Sequence, residues 1–473
     1  MGIMKDTPSN AQQRAPNLLR RGHPLDEEQI RRLMEDDPDA VVFYVLLLQS
    51  KASPSPFTPS GMVPVYEKPT AKSRSKKSGR KQGHEGSHRP VPPTIHERVE
   101  HRLERCPDCG GELRPGTSPK SQRTRIIEDL PTDIQPVVTE HVIHRDYCPS
   151  CQKLVEPKVP DALPGATIGH RLRTRSAHWH YGLGMPVSQI VAGLNSHLHF
   201  QVSEGGWVQM WQRLADRLEP WYEQLADEAR GSAVLHADET GWRVNGKTHW
   251  LWCFTNDTTT VYMIDQSRGS PALFEFFQEA FEGVLVTDFW AAYDAIANGR
   301  RQFCLAHLLR ELEKVDSTHS SAEWTAFSAK AKRLFKDALR RRRREDFSPD
   351  TYASRIERLY ARLVDLMLME STDPDVRRVA KRWRKYGDEL LTFLEPPNVA
   401  ATNNHAEREI RPAVVMRKVI QGNRSDQGAK TQSVLMTLFR TLKRREFNPV
   451  DTVIDSLKES IRTGILPPFP SIR

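Results

Sequence analysis

The segment from Ala233 to Ala306 constrains the fold most, because its turn residues and its apolar periods change together. Ala233 to Val244 is apolar and β-prone. Asn245-Gly246 follows, the strongest short hairpin signal, since both turn positions need positive φ. Lys247 to Thr255 runs back through Trp250, Leu251, Trp252, Cys253 and Phe254; Asn256-Asp257 makes a second turn, and Thr259 to Ile264 reads as a third strand. Pro271 to Glu279 is predicted helical, Gly283 to Thr287 a short buried strand, Phe289 to Ala297 a helix and Gln302 to Ala306 a fifth strand. Three hairpin-linked strands, then helix, strand, helix and strand, predict an α/β unit with a mixed sheet flanked by helices.

That order is the order of a ribonuclease-H-like fold. The rest of the 473 residues divides around it. Residues 1–50 read as a polar start and two short helices. One runs from Asp26 to Met34 with Ile30, Leu33 and Met34 on one side, and Pro38 opens the other. The pair suits an oligomerisation element. Residues 51–98 form a Pro/Ser/Lys-rich linker. Between Glu67 and Arg89 eight Lys or Arg stand against two Glu, among them Lys72, Lys76, Lys77, Arg80 and Lys81, which makes it either a solvated tether or an arm that grips phosphate. Residues 99–160 hold four of the six cysteines. Residues 165–228 read as helical, with Trp207, Met210, Trp211 and Leu214 on one helix face behind a shorter helix at Pro186 to Leu194. Two readings are open for this pair: a helix-turn-helix, or a plain helical pair packed on the next domain. The sheet domain spans 232–428 and a helical segment, 429–473, closes the chain. Residues 307 to 395 are helical and basic, with an unbroken run of Arg340, Arg341, Arg342, Arg343 and Arg344.

A net charge of +9 and a pI of about 9.2 suit work against a polyanion. Met1 to Ala40 is polar and mixed in charge, unlike a signal peptide, and the longest apolar run, Val41 to Leu48, is far short of the ~20 residues that span a bilayer. A cytoplasmic location with no membrane association is expected.

Cys106-x-x-Cys109 and Cys148-x-x-Cys151 are matched pairs, each able to offer two thiolates to one tetrahedral zinc, with strand-like segments between them. This zinc-ribbon spacing predicts a closed, structural site; disulfides are the rival for which nothing indicates an oxidising compartment. Cys253 and Cys304 are expected in apolar strands as small core residues, although Cys304-x-x-His307 also has metal-like spacing.

Three acids invite a chemical reading. Asp238 lies inside the first strand, where a carboxylate is costly unless paired or metal-bound. Asp288 sits where Val284–Thr287 ends, at the strand terminus where α/β sheets place their chemistry. On neighbouring strands, the two favour a site for hard divalent ions. Glu407 has a competing role, because Asn404-His405-Ala406-Glu407 has the form of a capping box with Asn404 as N-cap.

In the strings His236-Ala237-Asp238-Glu239-Thr240, Val286-Thr287-Asp288, Cys304-Leu305-Ala306-His307 and Asn403-Asn404-His405-Ala406-Glu407-Arg408, the sequence resembles the insertion-sequence-66 family of bacterial DDE transposases, and the resemblance runs from about residue 66 to 460. The resemblance implies that Asp238, Asp288 and Glu407 are the catalytic triad, binding Mg²⁺ or Mn²⁺. It further implies that residues of about 308–400 are a helical insertion in the catalytic fold. The activity implied is two-metal cleavage of DNA at the element's terminal inverted repeats and joining of the 3′-hydroxyl to target DNA. Arg411 is placed to orient Glu407 as an i, i+4 partner, and Arg408 or Arg411 to touch phosphate or simply to face solvent. DNA, further copies of the chain and small accessory proteins of the same element are the expected partners, in a nucleoid-associated setting. The rivals are a nuclease that cuts without joining, and an inactive or domesticated zinc-ribbon DNA-binding protein.

Overall fold

The computed structural model describes residues 92–114, 124–131, 134–296, 298–342, 349–395 and 398–472. The chain divides into two units, Met1–Asp129 and Leu130–Arg473. The helices expected in 1–50, the basic residues at 72–81, and Arg343 and Arg344 lie outside the described residues.

In the first unit, Arg105 bridges Glu112 antiparallel around the first cysteine pair. In the second, β1 (Asp146–Cys148) and β2 (Lys153–Val155) form a hairpin around the second pair. The strands expected between the pairs are otherwise absent from the described residues. Ile127, Leu130, Val137 and Val138 there are exposed, and β-branched residues make a strand only where a neighbouring surface packs against them.

The main sheet has five strands, β3 (Val234–Val244), β4 (Lys247–Thr255), β5 (Thr260–Asp265), β6 (Phe281–Thr287) and β7 (Asn298–Phe303), in the order β5-β4-β3-β6-β7. The first three pair antiparallel, and β3–β6 and β6–β7 pair parallel. Asn245 and Gly246 both have positive φ, as the β3–β4 turn requires. Helix α4 (Ser270–Phe277) connects β5 to β6. The helix expected at 289–297 is reduced to a 3₁₀ turn at Ala291–Ala295, because the Asp288 side chain accepts the Trp290 N–H and holds a turn in front of it. The fifth strand begins at Asn298 instead of Gln302 and ends at Phe303. Its polar residues hid it from a periodicity argument. Arg301 pairs with Asp294 through one terminal nitrogen, and Gln302 is held by Leu390 and Phe393.

Each face of the sheet is covered. Leu235 and Ala237 of β3, Trp252 and Phe254 of β4 and Leu285 of β6 join one core with α1 (His170–Ala177), α2 (Val187–His197), α3 (Glu204–Arg230), α10 (Asp426–Arg444) and α11 (Pro449–Thr463). Trp207, Trp211, Leu214 and Leu218 form the buried face of α3, with Met210 partly buried beside them, and Tyr222 donates to the Tyr262 carbonyl of β5. So the helical pair α2–α3 is seated on the sheet domain. Val284 and Val286 of β6 turn to the other face and pack on α5 (Leu305–Asp316), α6 (Ala322–Arg342), α7 (Pro349–Met367) and α8 (Pro374–Tyr386), the helices between β7 and α9 (Asn404–Ile420). The outer edge of β5 is sealed by α10: Thr441 accepts the Thr260 N–H and Thr437 accepts the Tyr262 N–H. An edge strand so covered has few free backbone groups with which to recruit another chain. Among the described residues no helix is long and apolar enough to cross a membrane.

Candidate active site

Two residues beyond the last parallel pair His236↔Val286 on each strand, the register brings Asp238 level with Asp288. Asp238 is opposite Cys253 on β4, so its side chain faces the side of the sheet covered by α9. Next to it, Glu239 alternates to the opposite face. It is nearly fully buried there, accepts two hydrogen bonds from Arg268 at 2.9 and 3.1 Å, and accepts a third from Tyr293 at 3.0 Å. Arg268 in turn lies over the rings of Trp250 and Trp290, 4.5 and 4.0 Å from their centroids. Glu239 belongs to the same sequence string as Asp238, but only the strand's alternation and the partners across the fold reveal its separate environment.

Glu407 approaches from α9. The capping box expected for it is not formed. The helix starts one residue earlier than that motif requires, with Asn403 as N-cap and without a side-chain cap. Asn403 is used elsewhere: its side chain donates to the Ala237 carbonyl (2.8 Å) and meets His236 Nδ1 (3.1 Å), and its backbone N–H donates to Cys304 Sγ (3.1 Å). The Glu407 carboxylate is thereby left to the cleft. Arg310 Nη2 donates to it at 3.3 Å and His307 Nε2 lies 3.6 Å away, both from α5. The cation that meets Glu407 is thus Arg310 instead of Arg411. Arg408 and Arg411 are both exposed.

Asp238 lies in the field of the neighbouring acids. Burial pushes the Asp238 carboxyl well above the usual range, and the negative charges of Glu239, Asp288 and Glu407 add to the effect. Glu239 is pushed up to about 7 by burial and by Asp288, against the opposing pull of Arg268 and Tyr293. Such concentrated anionic charge is unfavourable in the bare protein and suits divalent cations, whose charge relieves it. Glu409, the other acid in this part of α9, has a different fate. It is buried and paired with Arg440 (2.5 Å) and Arg444 (2.9 Å), which hold its carboxyl below the usual range despite burial.

Cys304 is not in a strand, as expected, but is the N-cap of α5. It is buried, its N–H donates to Thr287, and its sulfur accepts from Asn403. Cys304 and Asn403 thus connect the end of β6, the start of α5 with His307, and the start of α9 with Glu407. Cys304, His307 and Glu407 have candidate ligand atoms within 4.8 Å of one another. Tertiary contact gives meaning here to two short strings 99 residues apart.

The cysteine pairs each form a tight knuckle. Cys106 donates its N–H to Gly111 and accepts that of Gly110. The N–H groups of Asp108 and Cys109, then the Cys109 thiol, lower the Cys106 pKa; the N–H and thiol of Cys151 do the same for Cys148. All four are free thiols. Donors aimed at sulfur favour thiolate, the form that binds zinc.

Two family models match the chain. A model described as the zinc-finger binding domain of transposase IS66 matches residues 103–152, which include all four cysteines and support a structural zinc. A second, described as Transposase IS66 family, matches residues 165–431, more than half of the chain. No curated protein matches the chain. With Asp238, Asp288 and Glu407 all inside the second match, the chain belongs to the IS66 family of transposases.

Proposed function

We propose that this transposase cuts DNA at the ends of its element and joins the freed 3′-hydroxyl to target DNA, with Asp238, Asp288 and Glu407 as its catalytic carboxylates. The observation that carries the reading is the parallel register that sets Asp238 level with Asp288 on neighbouring strands, with Glu407 on α9 left out of helix capping. The strand order β5-β4-β3-β6-β7, three antiparallel and two parallel, supports a ribonuclease-H-like core.

Asp238, Asp288 and Glu407 supply the oxygen donors that Mg²⁺ or Mn²⁺ prefers. When bound, such ions stabilise charge on the attacking and leaving oxygens of a phosphodiester. The protein's own contribution is placement. Asn403 ties the first turn of α9 to the backbone beside Asp238, and His405, whose Nε2 lies 2.9 Å from the Asn256 carbonyl, ties it to the β4–β5 turn. Cys106, Cys109, Cys148 and Cys151 are the proposed zinc ligands. Lys72, Lys76, Lys77, Arg80, Lys81, the run Arg340–Arg344, Arg408 and Arg411 are the proposed DNA contacts, where phosphate neutralisation supplies affinity. Further copies of the chain, and small accessory proteins of the element, complete the proposed assembly.

The test is strand transfer with a pre-cut 3′ end and a circular target in Mg²⁺. Joined product supports the reading. Cleavage of uncut ends with no joining would leave a nuclease, and DNA binding with neither reaction would leave a binding protein.

A further inference from the structure

A second feature lies away from the carboxylates. The loop Leu163–Ile168, Arg173 of α1 and the first turns of α3 enclose a cavity of about 310 Å³. Arg173 is 1% exposed. One of its terminal nitrogens, Nη2, donates to the Ile168 carbonyl at 2.9 Å, while Nε and Nη1 are buried with no partner among the described residues. Among the described residues no carboxylate is paired with it; burial, and then the like charge of Arg213, push the guanidinium down to about 10. A buried cation left with unpaired donors is strongly unfavourable.

A second buried donor at this cavity also lacks an acceptor among the described residues. Trp207 Nε1 is buried and unpartnered. The N-terminus of the 27-residue α3 opens on the same space, with Gly206 in the wall and Ser203 capping it through the Gly206 N–H. A helix start concentrates unsatisfied N–H groups and partial positive charge. Glu204, the acid of that turn, is exposed and not part of the lining. Around these donors the wall is apolar, from Leu163, Ile168, Val202 and Met210.

We infer that this cavity is a phosphate-binding site that admits one nucleotide of an unpaired DNA strand, its phosphate held by Arg173, Arg213 and the α3 N-terminus. The inference rests on the proposed work on DNA, but not on the carboxylate site. An anion beside the α3 N-terminus would offset the uncompensated charges of Arg173 and Arg213, both of which line the cavity. The depth of Arg173 excludes a phosphate fixed on the outside of a duplex, whereas an unpaired nucleotide can enter and lay its sugar and base on the apolar wall.

The experiment uses the full chain, with fluorescence-anisotropy titrations of single-stranded and duplex oligonucleotides, and thermal-shift measurements with inorganic phosphate and with dAMP. Arg213→Ala, an exposed position, and Arg173→Gln should each weaken single-strand binding about tenfold or more and leave duplex binding within about twofold. Phosphate should raise the melting temperature of the wild type and not of Arg173→Gln. If Arg173→Gln does not fold, Arg213→Ala and the phosphate shift still decide. Unchanged single-strand affinity in folded variants overturns the inference. So does protection by dAMP equal to that by the oligonucleotide, which would assign the site to a free nucleotide. Cleavage of duplex ends, followed in parallel, separates the cases: its absence in wild type with single-strand binding intact counts against the transposition reading alone.

Discussion

Replacing Glu407 by Gln separates a metal-binding carboxylate from a structural one, because the structure assigns it so little structural work. Its partners are Arg310, 58% exposed at the side chain, and His307, 37% exposed. Exposed ion pairs of this kind contribute about 0–1 kcal/mol. Gln keeps the size and can still accept from Arg310, and no capping bond is lost, since none exists. The melting temperature should therefore fall by no more than about 3 °C. Activity should respond on another scale. Loss of one anionic ligand from a three-carboxylate site is expected to slow cleavage and strand transfer by about 1,000-fold or more, equivalent to about 4 kcal/mol of barrier. The assay is single-turnover cleavage of labelled end DNA in Mg²⁺ and in Mn²⁺, beside differential scanning fluorimetry of the same preparation and a binding titration expected to match wild type. A folded variant that cleaves within about fivefold of wild type would refute the reasoning. Glu409 could not then serve as the substitute ligand without giving up Arg440 and Arg444.

Glu409→Gln should show the reverse pattern: breaking a buried pair costs about 3–5 kcal/mol, so a marked drop in melting temperature should precede any loss specific to catalysis. Without divalent ions, the stability of the wild type relative to Glu239→Gln should rise by about 1 kcal/mol as pH falls from about 8 to about 6.5. The sign follows from Glu239, whose folded pKa of about 7 lies above its ordinary value, so the folded state takes up the proton first. The buried His170 and His236, held down to about 4, act against stability in both proteins as pH falls, because the unfolded chain binds more protons; they cancel in the comparison but make each absolute curve fall below about 6.5. Saturating Mg²⁺ should flatten the rise, and scanning fluorimetry in a pH series reads both limbs. Purified protein should contain one zinc per chain by metal analysis, and Cys106→Ser should lose it while the sheet unit still melts cooperatively; absence of zinc from wild type ends that assignment. Neutralising Lys72–Lys81 or Arg340–Arg344 should reduce the slope of log affinity against log salt, and unchanged slopes would make both runs solvated surface.

The sequence by itself determined the local devices. Asn245-Gly246 set the hairpin and with it the pairing of β3 and β4. The apolar period of Trp207, Trp211 and Leu214 set the buried face of α3. The spacing of the cysteines set the knuckles, and the strings around Asp238, Asp288 and Glu407 carried the family. These signals are short-range, and a turn or a helix face is decided within a few residues. Only the tertiary structure decided what each polar group is for. Asn404 to Glu407 reads locally as a capping box, yet Asn403 is drawn instead to Ala237 and Cys304, and Glu407 is released to the cleft. The start of β7, from Asn298, is invisible as a pattern because its stability comes from parallel pairing with β6 and from the distant partners of Gln302. Glu239 and Glu409 look like any other acids until Arg268 in one case, and Arg440 and Arg444 in the other, arrive from remote parts of the chain. Burial and charge pairing depend on residues far apart in sequence, so their effect on a carboxyl group is fixed only when the chain has folded.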